Sequence, residues 1–132
     1  MLDTDTCIAL IKRQPETVLR KLRGKSIGQV GLSSIVLSEL SYGVARSARP
    51  EQNLAALREF LVALEVAAFD ESCALRYGAV RVAPERAGKP IGSFDVLIAA
   101  HALALDVVLV THNVREFTRV SGLRIEDWLA TG

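Results

Sequence analysis

Cysteine is scarce in this chain: of 132 residues only Cys7 and Cys73 carry thiols, far apart and not spaced as a metal-binding pair. That excludes a disulfide scaffold and points to two reduced thiols in a cytoplasmic protein. No secretory leader is read at the start, which agrees with that setting. Charge of one sign is also missing. A net charge of +1 excludes a basic field over the whole surface, so any nucleic-acid contact has to come from a local patch. Long hydrophobic runs are lacking as well. The longest, Val96–Leu105 and Val107–Val110, are split by Asp106, and the first contains His101, so neither spans a membrane. There is no glycine-rich phosphate loop, no Ser-His-Asp order and no His/Cys zinc spacing.

What is present is a chain that is half hydrophobic, rich in Ala, Val and Leu, with only 5% aromatics. It is long enough to bury a core as a single domain over residues 1–132, and it carries no repeat or linker. The pattern predicts a strand stub at Met1–Leu2 and helices over Thr4–Lys12 and from Pro15 to Gly24. A strand is expected at Ile27–Leu32, then helices from Ser33 or Ser34 to Ser47 and from Pro50 to Leu64. Val66–Phe69 reads as a short strand, and a helix begins at Asp70 or Ser72 and fades at Pro84. Pro84–Gly92, with two prolines and two glycines, reads as a loop. Ser93 is expected to cap a helix over Phe94–Leu105. Val107–Val110 reads as a buried parallel strand, followed by a short helix at Val114–Phe117 and a last strand at Leu123–Ile125. Strands alternating with helices give an α/β fold: a three-layer α/β/α sandwich around a central, mostly parallel sheet of four to five strands.

Four side chains stand out against this frame: Asp3, Glu39, Asp95 and Asn113. Asp3 and Asn113 follow predicted strands, at the carboxyl edge where open parallel sheets bind ligands. Taken alone, Asp3 reads as a helix N-cap and Asn113 as a turn residue. Glu39 falls outside the polar arc of its helix, flanked by Ile35, Val36, Tyr42 and Gly43, and an ion pair with Arg46 two turns on is an equal alternative. Asp95 opens an apolar helix, where the helix dipole alone favours an acid. Together, however, buried carboxylates demand a partner. No lysine or arginine lies near them in sequence, and an oxygen-only set suits Mg2+ or Mn2+. His101 reads as a packing histidine and His112 as a solvated loop residue. The basic run Lys12, Arg13, Arg20, Lys21, Arg23 and Lys25 reads as a solvated helix face or an RNA-binding patch.

These residues in this order resemble the PIN domain, in particular the VapC-type ribonuclease toxins of bacterial toxin–antitoxin pairs. The matching segments are Leu2-Asp3-Thr4, Ser38-Glu39-Leu40 with Tyr42-Gly43, Phe94 to Ala102, Leu109 to Asn113, and Glu116-Phe117. The resemblance implies a Mg2+-dependent ribonuclease (Mn2+ as a substitute) with Asp3, Glu39 and Asp95 as the acidic metal site. It places Asn113 in a fourth position that is acidic in many PIN domains, and Thr111 as a hydroxyl residue near the metal. It also implies an RNA substrate, a VapB-like antitoxin that blocks the site, and a homodimer that can enter a toxin–antitoxin hetero-oligomer. Two departures matter: Asp5 stands where these toxins commonly carry Asn, and the very short first strand is expected to fray.

Two rivals remain at this level. Leu2-Asp3-Thr4-Asp5-Thr6 imitates the start of a haloacid-dehalogenase-like phosphohydrolase that would use Asp3 as nucleophile. That reading lacks the later paired-Asp motif and leaves Glu39 unexplained. The other rival is a non-catalytic PIN-like module that binds RNA or protein.

Overall fold

Leu2 is the centre of the sheet. In the computed structural model, which describes residues 1–26 and 28–130, this single residue pairs in parallel with Leu32 on one side and Val110 on the other. The backbone N–H of Leu2 donates to Gly31 O at 2.8 Å, that of Asp3 to Val110 O at 3.0 Å, and that of Val110 to Met1 O at 2.7 Å. The chain's amino group adds a 2.8 Å bond to Val108 O. The expected fraying of this stub is therefore not what the fold shows. The strand is short, but it is hydrogen-bonded on both flanks and Leu2 is completely buried.

Around that stub, β1 (Gly31–Ser33) pairs with β2 (Glu65–Ala67), and β3 (Leu109–Val110) pairs with β4 (Ile125–Glu126). The order is β2–β1–Leu2–β3–β4, with every pairing parallel, which is the predicted α/β sandwich. Gly31 makes the β1–β2 approach possible, because a Cβ there would lie 2.5 Å from Glu65 O. The helices are α1 (Thr4–Lys12), α2 (Glu16–Arg23), α3 (Ser34–Ala45), α4 (Pro50–Leu61), α5 (Glu71–Arg86), α6 (Ser93–Leu105) and α7 (Val114–Phe117). Helix α3 packs against α1, α4 and α6, and α5 packs along α6. Leu2, Val36, Val96, Ile98, Leu109 and Phe117 form the centre of the core. Both thiols are free and buried. Among the described residues no helix is long and apolar enough to cross a membrane.

Several boundaries differ from the sequence reading. The expected strand from Ile27 begins only at Gly31; Ile27 itself lies outside the described residues, and Gly28 turns the chain at φ +88°. The other strands are shorter than expected or shifted by a residue or two, because a parallel ladder ends where its neighbour ends. Helix α4 stops at Leu61 rather than Leu64. Helix α5 does not fade at Pro84 but runs through it to Arg86. Proline's fixed φ is compatible with a helix, and its buried ring offsets part of the cost of the lost hydrogen bond. The helix ends where Gly88 takes φ +73°, and Lys89 N–H closes the turn on Pro84 O at 2.9 Å. At the next helix Gly92, not Ser93, takes the cap position, without a side-chain cap bond.

Candidate active site

Asp3 leaves the central stub at the carboxyl edge of the sheet and is 6% exposed. It is the N-cap of α1, accepting the Thr6 N–H at 3.0 Å, so the bland reading of this residue is correct. The same carboxylate also faces a cleft of about 140 Å³. Burial pushes its pKa up, hydrogen bonds from Thr111 and Thr6 oppose that, and the charge of Asp5 adds to it. Thr111, fully buried beyond β3, also accepts the Asn113 N–H at 3.0 Å.

Glu39 lines the same cleft from α3. Its Oε1 accepts the Thr4 hydroxyl at 2.7 Å. The alternative ion pair with Arg46 is not formed: among the described residues Glu39 has no salt bridge. The Arg46 guanidinium instead lies 5.6 Å from the centre of the Tyr42 ring. The expectation that Glu39 sits amid apolar neighbours holds only on one side. Val36 and Leu40 are buried, while Tyr42 and Gly43 are exposed, so Glu39 stands at the boundary of core and solvent.

Asp95 enters from the first turn of α6 and is half-buried. Its pKa is pushed up to about 7, first by burial, then by a hydrogen bond with Glu116 and by the negative charges of Glu116, Glu39 and Asp3. Acids from three separate elements therefore feel one another across the cleft. Asp5, Asn113 and Thr4 complete its polar lining, with Ile98 and Phe117 as the apolar wall. No lysine, arginine or histidine is among these lining residues.

Asn113 differs from a simple turn residue. It occupies the N-cap position of α7 without capping it, and its Nδ2 donates to Glu116 Oε2 at 2.6 Å. Glu116 Oε1 accepts the Gly92 N–H at 2.7 Å. Burial raises the pKa of Glu116, but hydrogen bonds from Gly92, Asp95 and Asn113, with the Arg119 charge, bring it below the usual value. Sequence reasoning missed Glu116 as a site residue. The available signal was its place three residues after Asn113, one helical turn, which puts the two side chains side by side.

Among the described residues, no three His, Cys, Asp or Glu side chains close in tightly enough to enclose a metal ion by themselves. Asp3, Glu39 and Asp95 nevertheless present oxygen donors to one small cleft without a cation to balance them. That donor set fits Mg2+, which takes one or two carboxylates and keeps several waters. A larger cavity of about 420 Å³ lies at the opposite edge, where the strands begin, bounded by Met1, Val30, Gly31, Val107, Val108 and Arg124. Size favours that cavity, but the convergent acids make the smaller cleft the site.

The remaining candidates take structural roles. His101 is fully buried, bonded through Nδ1 to Ser33 Oγ at 2.7 Å and edge-on to Phe69, with its pKa lowered by burial. His112 is exposed and pairs with Asp127 at 3.0 Å. The basic residues from Lys12 to Lys25 are all exposed, and Arg20 pairs with Glu16 at 3.7 Å, as a solvated helix face would.

A parallel sheet with acids gathered at its carboxyl edge is the arrangement of the PIN domain, and the chain belongs to that family, which matches residues 1–123. Membership removes the haloacid-dehalogenase reading. The chain is 44% identical over 128 residues to the tRNA(fMet)-specific endonuclease VapC of Salmonella typhimurium, covering 97% of this chain and 96% of that protein. It is 39% identical over 129 residues to ribonuclease VapC2 of Haemophilus influenzae, covering 98% and 97%. Among solved structures, VapBC2 of Rickettsia felis bound to a promoter DNA fragment matches with a TM-score of 0.91 at 40% identity, with 97% of each chain covered.

Proposed function

We propose that this chain is a cytoplasmic endoribonuclease, the toxin of a VapBC-type pair, that hydrolyses RNA phosphodiester bonds with Mg2+ as cofactor. The observation that carries this reading is the convergence of Asp3, Glu39 and Asp95 in one cleft that no lysine, arginine or histidine lines, on a chain closely similar to VapC ribonucleases. Asp3 and Asp95 would hold the metal, with Glu39 completing the site. A bound divalent ion supplies charge neutralisation at the phosphate and lowers the pKa of water.

The chain's own residues do the rest. Thr4 fixes the Glu39 carboxylate by its 2.7 Å hydrogen bond, leaving the other oxygen to orient water. Thr111 and Thr6 hold Asp3 in place. Asn113 and the Gly92 N–H clamp Glu116, which in turn positions Asp95. Asp5, exposed at the rim, adds negative charge beside the site. The partner would be a VapB-like antitoxin that places a basic side chain into the acidic cleft.

Expression of the wild type and of Asp3→Asn, each without a partner, tests the reading. The wild type is expected to arrest growth and generate RNA fragments, and Asp3→Asn to do neither. Equal RNA cleavage by both would overturn it.

A further inference from the structure

His101 is a polar ring at a place where the core would accept an apolar one. It is fully buried on α6 between Ala100 and Ala102, and among the described residues its Nε2 has no hydrogen-bond partner. A buried nitrogen left unpaired lowers stability, and a leucine of similar bulk would fill the place without that loss. Stability alone therefore does not account for the residue. What a histidine supplies and a leucine cannot is a directional bond, and here one joins Nδ1 to Ser33 Oγ at 2.7 Å.

That bond ties together the two helices that carry cleft acids. Ser33 ends β1 and is the N-cap of α3, its Oγ accepting the Ile35 N–H at 3.0 Å, and Glu39 follows on the same helix. Asp95 lies in the first turn of α6, and His101 comes less than two turns later, about 9 Å along the axis. Among the described residues no other hydrogen bond links α3 or its cap to α6. The buried part of α6 is otherwise aliphatic and mostly small: Val96, Ile98, Ala99, Ala100 and Ala102. Packed helices with such surfaces slide past one another by small amounts. A short hydrogen bond does not survive a shift of an ångström.

The same point is braced from a third side. Phe69, just beyond β2, sets its ring edge-on to His101 with the centroids 5.6 Å apart, and its N–H donates to Ser34 Oγ at 3.0 Å. The start of α3 is thus held from the end of β2 and from α6 together.

We propose that Ser33 and His101 are positioning residues, whose buried bond fixes the advance of α3 along α6 and so sets the spacing of Glu39 and Asp95 to suit an ion as small as Mg2+. This deepens the metal-site reading above and rests on it. Mg2+ demands near-octahedral ligands at about 2.0–2.1 Å, whereas Ca2+ accepts longer and looser ones, so the spacing selects between ions.

The test titrates Mg2+ and Ca2+, each alone, into the full chain by calorimetry, at a temperature where circular dichroism shows every variant folded. His101→Leu and Ser33→Ala are each expected to weaken Mg2+ binding by roughly 10-fold, as loss of a support behind a metal ligand does, and Ca2+ binding less. The double variant should lose no more than the weaker-binding single one, because both remove the same bond. With RNA, kcat should fall by about 10- to 100-fold while KM changes little. Val18→Ala, which trims a buried side chain on α2, should lower the melting temperature and leave Mg2+ binding as it was. Mg2+ binding unchanged in both single variants would overturn the proposal, as would equal losses for Mg2+ and Ca2+ or an equal loss in Val18→Ala. An unaltered chain that binds Mg2+ but cleaves no RNA would instead sink the ribonuclease reading, and the titration would still judge the clamp; one that binds neither ion would sink both.

Discussion

Asp95 and Glu116 act on each other's protonation: beside Glu116, buried Asp95 is pushed up to about 7, while Glu116 is held below its usual value. Below about pH 7 the pair therefore holds one proton, carried by Asp95, whose burial and negatively charged neighbours favour the neutral form. Gly92 and Asn113 saturate the far side of Glu116, which keeps it the anion of the two. A cation beside Asp95 would displace that proton.

The first prediction follows for Asp95→Asn, which keeps the shape and removes the charge. RNA cleavage should fall by about 100-fold or more, since a lost interaction of about 3 kcal/mol in the transition state has that effect. The melting temperature should stay equal or rise, because repulsion from Glu39 and Asp3 is relieved. Full cleavage by this variant, or cleavage undiminished in excess EDTA, would contradict a metal role.

The same pair sets a pH dependence. A carboxyl titrates at about 3.9 when unfolded, while folded Asp95 titrates at about 7. Between those values the folded state binds more protons than the unfolded state, so stability falls as pH rises. The contribution is complete below about 4 and is lost through about 7. Metal-free protein should therefore melt at a higher temperature at pH 5 than at pH 8, and Asp95→Asn should flatten the difference. Mg2+ should restore stability at the higher pH, as any ligand of the folded state does.

Glu39 and Arg46 separate cleanly. Because they are not paired, Arg46→Ala should change unfolding free energy by no more than about 0.5 kcal/mol, as an exposed substitution does. It should also leave the metal requirement intact. Glu39→Gln should abolish cleavage while the protein remains folded. Calorimetry showing comparable destabilisation by both substitutions would revive the ion pair.

Homodimerisation has a candidate surface on α5. Leu75 and Val82 are 79% and 37% exposed and share a helix face with Gly78 and Ala79, a stripe small enough for a second helix to approach closely. Light scattering should show a dimer at micromolar concentration, and Leu75→Glu should convert it to monomer. A monomer in the unaltered protein would remove this assembly.

The alternation of strands and helices and the extents of α1 and α7 were legible because they depend on local signals, while Asp3, Glu39, Asp95 and Asn113 were legible as a set through the family resemblance their order carries. Apolar periodicity, caps and turn residues act within a few positions of themselves. The strand limits were less legible. The stub at Met1–Leu2 was expected, but its firm hold was not, because Leu32 and Val110, which pair with Leu2 on either side, are far from it in the chain. The same holds for Pro84, whose place inside α5 depends on the core that receives its ring.

The amino-acid sequence by itself determined the class of fold and supplied the acids. It left undecided whether Glu39 faced Arg46 or the cleft, since helical geometry allows both. Tertiary packing decided that, by bringing Thr4 within 2.7 Å of Glu39 and leaving Arg46 stacked on Tyr42. It also brought Glu116 to Asp95 from another helix. Hydrogen bonds and charge repulsion fall off within a few ångströms, so such partnerships exist only once the chain has folded.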